Sequence, residues 1–329
     1  MTWDGKLQFK SDKSKNRILS LNSKAKSAQS DVKVMIGIGG YGNSEHFASV
    51  VGNFEKMKVF INNIVTLLEE YNIDGVDFYW RSASEEDKWR YITFVRELRK
   101  SLTIRNREKP FLISLTIPAV ISSYELAYDL EDSLKDVDFF NVFSMDYYGP
   151  WENQWGTPAG PIAPLYNTVP GKNGYCVDST LNYYVCKTKQ PSKFNIVIPF
   201  FARLWRHVKE AVKPEKEVIR NVELKDNKAV GDGYMFRWTV QDRKYKISPA
   251  TWDEESKTSY IYNPVNETYL TFEDEKSINA KIEYVNSMNL GGVGLWTLNM
   301  DDDKSSVLNM VFSKELCSKK TQIYVKYHC

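Results

Sequence analysis

Histidine is nearly absent from this chain of 329 residues, which has only His46, His207 and His328, and cysteine is sparse at four. The histidines are scattered and do not pair with cysteines at zinc spacings, so the residues give no metal site and imply no cofactor. Long apolar runs are missing too. Nothing approaches the ~20 residues needed to span a bilayer, and Met1–Lys10 lacks the apolar stretch of a secretory leader. Charge of one sign is not in excess either: 44 basic and 42 acidic residues leave a formal net charge of +2, spread along the chain. That pattern lacks the basic stripe of a nucleic-acid partner. Nor does a glycine-rich phosphate loop follow the early strands, which disfavours a nucleotide-binding open sheet.

What is plentiful is aromatic. Phe, Trp and Tyr make up 14% of the chain, with nine Trp and twenty Tyr. Packing accounts for most aromatics in most proteins, but an excess also suits a cleft that stacks flat ligands. Hydrophobic residues at 42% and charged residues at 26% are ordinary for a soluble globular protein. The four cysteines read as free or buried thiols, or, in an oxidising compartment, as local disulfides Cys176–Cys186 and Cys317–Cys329. Spacing does not fix the connectivity.

Short apolar segments alternate with amphipathic ones. Strands are expected at Val32–Gly40, Ile73–Trp80, Phe111–Pro118, Val137–Asp146, Phe194–Phe201 and Gly292–Leu298. Between them, Ser44 is expected to cap a helix carrying Phe47, Val50, Val51, Phe54, Met57, Phe60, Ile64, Leu67 and Leu68 at helical spacing. Further helices are expected around Tyr91–Leu102, Tyr124–Leu134, Thr180–Cys186, Ser277–Met288 and Asp303–Phe312. Repeated strand–helix units with near-continuous apolar strands mean a parallel sheet covered by helices, here an α/β barrel, with functional side chains at the C-terminal strand ends. Residues Leu204 to Thr271 break the alternation with Gly231, Gly233 and β-prone runs at Gly233–Val240, Lys244–Ile247 and Ser259–Tyr262. They are read as a small α+β insertion before the last strand. The division is thus barrel over 1–203, insertion over 204–271, barrel again over 272–316 and a tail over 317–329.

At Asp74–Arg81 the run DGVDFYWR resembles the D-G-x-D-x-D-x-E signature of glycoside hydrolase family 18, the chitinases and chitinase-like lectins. Other segments resemble the same family in the same order. GIGGY at 37–41 is similar to its S-I-G-G-W strand, NVFSMDYYGPW at 141–151 to N-V-M-T-Y-D-x-x-G-x-W, and IPFFAR at 198–203 to I-P-x-Y-G-R. GPIAPLY at 160–166, Trp252–Lys257 and GGVGLWTLNMDD at 291–302 resemble its following loop, its insertion and its last strand. Phrases such as MDYYGPW look nearest to the nematode chitinase-like branch. The resemblance implies a TIM-type (β/α)8 barrel with an α+β insertion. It begins just after the family's second strand, around Trp3–Phe9, so the barrel is expected to miss its first strands. A natural start about 30–60 residues upstream of Met1 is expected, from the usual β–α–β length. A signal peptide or membrane anchor is expected in that segment, for an extracellular or outward-facing protein.

The departures matter more. Alternate strand residues share a face, so Asp77, Tyr79 and Arg81 point one way. Active members carry Asp, Asp and Glu there. The Glu protonates the leaving oxygen, while the other carboxylates orient the N-acetyl group that attacks the anomeric carbon. A guanidinium has no proton of suitable acidity to give. Loss of a general acid costs ~10²–10⁴ in rate, and a fixed cation about 5 Å from a developing positive charge adds roughly 3 kcal/mol at an effective dielectric near 20. Met145 stands where the family has a Tyr. Glu85 and Glu86 belong to the loop or helix start, too far out to replace the acid.

Asp74 and Asp77 read first as structural carboxylates. Arg81 reads as an ion-pair partner of Asp77 or Asp146, or as a ligand contact. Trp296, ending the last strand, reads as a sugar-stacking floor, with Met145 beside it and Tyr41, Tyr148 and Trp151 walling the cleft; Asp146 and Arg203 read equally as polar residues lining it or as partners in an internal salt bridge. The sequon Asn266-Glu267-Thr268 marks a glycosylation site if the chain enters the secretory route. The resulting expectation is a chitinase-like protein that has lost hydrolysis and binds chitin or N-acetylglucosamine oligosaccharides. The alternatives are a protein-interaction scaffold with a plugged cleft or, last, a glycosidase with a displaced acid.

Overall fold

Period-two alternation from Val76 to Arg81 organises the first part of the chain. The computed structural model describes residues 1–28, 31–81, 83–105, 108–119, 127–167, 174–236, 239, 250–316 and 325–329. They fall into two units, one of residues 1–118 with 122–141, the other of 119–121 with 142–329. In the first, strands β1 (Met35–Gly39), β2 (Gly75–Tyr79) and β3 (Leu112–Pro118) pair in parallel in that order. Helix α1 (Asp12–Ser27) precedes β1, and α2 (Phe47–Val51) and α3 (Phe54–Glu70) join β1 to β2. Helix α4 (Lys88–Thr103) leads to β3, and α5 (Leu130–Ser133) leads to β4 (Phe139–Phe143), whose first residues belong to this unit.

On one face of β2, Val76, Phe78 and Trp80 are buried against the helices. Phe47 stacks on Trp80 at 5.3 Å, Phe60 stacks on Phe94 at 5.1 Å, and Phe78 meets Phe94 edge-on at 5.1 Å. Such pairs contribute about 0.5–1.5 kcal/mol each beyond area burial. Gly75 is needed for close strand approach, since a Cβ there would lie 2.4 Å from the Leu112 carbonyl oxygen. Asp74 anchors the N-terminal end of β2. Its carboxylate accepts from Lys26 Nζ of α1 at 2.7 and 2.6 Å and from the Val34 N–H at 2.8 Å.

Three expectations change in this unit. The helix foreseen from Ser44 is two helices broken at Gly52–Asn53, and Asn53 caps the second by accepting from the Lys56 N–H. Ser44 caps neither; its hydroxyl faces the carbonyls of Gly40 and Tyr79 at 2.9 and 3.2 Å and accepts from the Arg81 N–H. Helix α1 was not foreseen. Of the helix expected at Tyr124–Leu134, residues 124–126 lie outside the described residues, and the described part is α-helical only over α5.

In the second unit, β4 ends beside β5 (Phe194–Pro199), where the Ser144 hydroxyl bridges the Val197 N–H and carbonyl. Strand β5 pairs in parallel with a later strand at Gly292–Trp296. The single run expected at Phe194–Phe201 is broken at Phe200. Beyond it β6 (Phe201–Trp205) enters an antiparallel sheet with β9 (Gly231–Phe236), β10 (Thr251–Asp253), β11 (Thr258–Asn263) and β12 (Thr268–Phe272), in the order β10-β11-β12-β6-β9. β7 (Val208–Ala211) and β8 (Arg220–Val222) form a separate pair, and the strand at Gly292–Trp296 is β13. The run expected at Lys244–Ile247 lies outside the described residues. Helices α6 (Val177–Thr188), α7 (Glu275–Ser287) and α8 (Ser306–Phe312) complete the unit. Ile198, Phe200, Ile278, Ile282, Val307 and Val311 form one of its cores. No helix among the described residues is long and apolar enough to cross a membrane.

The cysteine pairing is a correction. Cys186 bonds Cys329, across 143 residues, while Cys176 is a buried thiol whose Sγ accepts from the Ser179 N–H at the start of α6. Cys176 and Cys186 stand at opposite ends of that helix, about 15 Å apart at 1.5 Å per residue, beyond disulfide reach. Cys317 lies outside the described residues.

A buried ion pair sits behind β12: Lys281 Nζ, 1% exposed, lies 2.8 and 3.0 Å from the carboxylate oxygens of Glu273, which also accepts from the Ser277 hydroxyl at 2.6 Å. Removing one partner strands the other charge. Lys281→Ala is expected to lose about 3–5 kcal/mol in urea unfolding, while Lys281→Met with Glu273→Leu recovers much of it; a single-variant loss under about 1 kcal/mol would contradict this.

Asp74 sets an acid-dependent term. Burial pushes its carboxyl up, but Lys26 and the Val34 N–H outweigh that and hold it below its ordinary value. With the folded pKa below the unfolded value near ~3.9, its stabilisation is complete above that value and fades as pH falls through the folded pKa. Asp74→Asn is therefore expected to cost about 1–2 kcal/mol near neutrality and progressively less in acid. A difference that does not change with pH in acid-titrated unfolding curves would refute the assignment.

Candidate functional site

Of the residues singled out in the signature, Asp77 and Tyr79 lie on β2 and Arg81 lies just beyond its C-terminal end, and the first unit gives each a different environment. Asp77 is partly buried, and both its oxygens are engaged. Oδ1 accepts from the Ser114 hydroxyl at 2.6 Å and Asn141 Nδ2 at 3.2 Å, and Oδ2 accepts from the Thr116 hydroxyl at 2.8 Å. Burial pushes the carboxyl up, and the three donors pull it back without cancelling the rise. Burial likewise drives the nearby Tyr128 and Tyr91 phenols well above their ordinary range, with the Asp77 charge adding to it. Tyr79 shares the Asp77 face, and its carbonyl accepts from the Gly40 N–H at 2.7 Å.

Arg81 is exposed and makes no ion pair with Asp77. Its guanidinium lies 4.9 Å from the ring centroid of Tyr41, itself 82% exposed at the end of β1. Among the described residues of this unit, no carboxylate lies within ion-pair reach of it. The ion pair expected with Asp77 is not formed: hydroxyls and Asn141 take both Asp77 oxygens, and Arg81 lies over the Tyr41 ring. Glu85 and Glu86 stand exposed in a 3₁₀ turn, Glu85–Asp87, fixed by the reciprocal Ser84–Asp87 cap. Asp74 belongs to the frame at the other end of the strand.

The second unit gathers the remaining candidates. Asp146, at a positive φ of 63°, accepts through Oδ1 from Arg203 Nε and Nη2 at 3.1 and 2.6 Å. Arg203 is 0% exposed. Its Nη1 donates to the Gly233 carbonyl, and its guanidinium lies 4.2 Å from Trp151, 5.2 Å from Phe201 and 5.1 Å from Tyr234. Asp146 and Arg203 thus form an internal salt bridge. Met145 and Tyr148 are buried, Met145 with Ile162, Ala163, Val197 and Phe201. Trp296 and Trp151 are partly exposed; Trp296 ends β13 with its ring edge-on to Phe143 at 5.3 Å. Trp151 is closely fitted, since a Cβ at Gly149 would meet its ring at 2.2 Å.

Sequence reasoning missed the supports of Asp77. Ser114 and Thr116 alternate along β3, and Asn141 is the polar residue inside β4. Polar residues at period two inside the otherwise apolar LISLTIP were the available signal. Tyr234, exposed over Arg203, carried no such signal.

Comparison with known proteins places this geometry. The sequence profile described as "Glycosyl hydrolases family 18" matches residues 1–301. Chitinase A1 of Niallia circulans is 24% identical over 298 residues, 86% of this chain and 42% of that protein, so the chain spans less than half of that relative's length. The crystal structure of the chitinase RmChi1 from Rhizomucor miehei superposes with a TM-score of 0.79 at 22% identity, covering 95% of this chain and 91% of that one. YKL-39, solved in the presence of chitooligosaccharides, gives 0.78 at 21%, covering 93% and 86%. The fold is the TIM-type barrel with its α+β insertion, here with six parallel strands among the described residues. From the profile match across most of its length, the chain is a member of glycosyl hydrolase family 18.

Proposed function

We propose that the chain is a chitinase-like protein that binds oligosaccharides of N-acetylglucosamine without hydrolysing them. The observation that carries this reading is Arg81, an exposed guanidinium stacked on Tyr41 where the family signature ends in its acid. General acid catalysis needs a group that yields a proton near neutral pH, and guanidinium does not. Tyr79 stands where the signature has a carboxylate, Met145 where another segment of the family has a Tyr, and both oxygens of Asp77 are engaged by Ser114, Thr116 and Asn141. Trp296 and Trp151 remain partly exposed aromatics of the kind that stack on sugar rings. YKL-39 in the presence of chitooligosaccharides supplies the ligand class by analogy. The Cys186–Cys329 disulfide favours an oxidising, extracellular or outward-facing setting. Burial of Met145, Tyr148 and Arg203 favours a second reading, a protein-interaction scaffold, because those side chains offer little surface to a ligand.

No turnover of a fluorogenic chitobioside above a mock preparation is expected, together with saturable heat on titration with the N-acetylglucosamine tetramer. Trp296→Ala is expected to weaken that binding roughly tenfold, the loss of about 1.4 kcal/mol of stacking. Turnover abolished by Glu85→Gln or Glu86→Gln would overturn the inactive reading, and absence of heat would leave the scaffold.

A further inference from the structure

We propose that Asn266 carries an N-linked glycan. The proposal rests on observations separate from the sugar-binding reading and stands or falls without it. Asn266-Glu267-Thr268 is the only Asn-x-Ser/Thr sequence in the chain. The structure puts it at the turn between β11 and β12, with Asn266 exposed. The asparagine that holds this turn is another one: Asn263 Oδ1 accepts from the Val265 and Asn266 N–H groups at 2.9 and 3.2 Å. The Asn266 carboxamide makes no hydrogen bond among the described residues, so its Nδ2 is available without loss of structure. Beside it Val265 is 89% exposed, the most exposed of the molecule's large hydrophobic residues among those described. A glycan on the next residue covers that surface.

Compartment is the second requirement. Disulfides form and persist where the environment is oxidising, which in eukaryotic cells is the secretory route. The Cys186–Cys329 bond joins residues 143 apart within the second unit, which is not the spacing of a local redox motif. The same route holds the donor, an oligosaccharide linked through pyrophosphate to a lipid. In the transfer, Asn266 Nδ2 forms a bond to the first sugar's C1 and loses one proton. The bond from C1 to the pyrophosphate oxygen breaks, and the lipid diphosphate leaves with that electron pair. Thr268, buried in the folded chain, is accessible to the transferring enzyme while the chain is still being threaded into the compartment.

The test is translation of the full chain behind a cleavable leader in the presence of endoplasmic-reticulum microsomes. Protease-protected product is expected to include a slower form that peptide N-glycosidase converts to the faster one, with aspartate then found at position 266. Asn266→Gln is expected to abolish the slower form and Thr268→Ser to retain it. Protected wild-type chain of one mobility, or a slower form that persists in Asn266→Gln, would overturn the proposal.

Discussion

The alternation of strand β2 is the constraint from which the first unit follows. Val76, Phe78 and Trp80 are locked into a helix-facing cluster with Phe47, Phe60, Phe94 and Tyr91. A slip of one residue would drive the Asp77 carboxylate into that cluster and expose the rings, at a cost of several kcal/mol. Register is therefore fixed by residues that take no part in the chemistry of the family. Asp77, Tyr79 and Arg81 follow on the opposite face whatever their side chains are.

A related economy holds in the second unit. A guanidinium at 0% exposure is sustained only if every face of it is answered. Asp146 takes Nε and Nη2, Gly233 takes Nη1, and Trp151, Phe201 and Tyr234 lie against the plane. Strands and loops remote in sequence converge on one side chain, so Arg203 is the link between β6, β9 and the segment after β4. Its charge is spent on structure.

Most of the parallel framework was legible because its signal is local: apolar runs bounded by polar ends, and helices with apolar residues at i, i+3 and i+4. What escaped depends on tertiary context or on weak amphipathy. Helix α1, DKSKNRILSLNSKAKS, is largely polar and buries only Asn22, which donates to the Tyr71 carbonyl at 2.7 Å. The break at Phe200 is invisible in the sequence because apolar residues continue on both sides of it, and only the change of pairing partner ends β5. Cysteine connectivity failed for the same reason, since proximity along the chain is a poor guide once a rigid helix separates the thiols. At the candidate site, an aspartate preceding a strand has backbone N–H groups within reach, and Asp74 accepts from the Val34 N–H. The donors of Asp77 come from two other strands, and nothing within DGVDFYWR announces them.

The way Asp77 is satisfied bears on how a member of this family can lose its acid and keep its fold. A carboxylate that depended on the neighbouring acid for a shared proton would be left uncompensated when the acid changed, and burial would then penalise the whole strand. Here Ser114, Thr116 and Asn141 supply three donors from β3 and β4, none of which involves position 79 or 81. Position 81 is exposed, so a cation there meets solvent and the Tyr41 ring instead of a dry interior. An arginine at position 81 therefore carries almost no structural penalty. By the same reasoning the change is not reversed by one substitution. Under the proposed reading, an acid restored at 81 would face Tyr79 and Met145 in place of the groups that hold its proton and orient the substrate's N-acetyl oxygen.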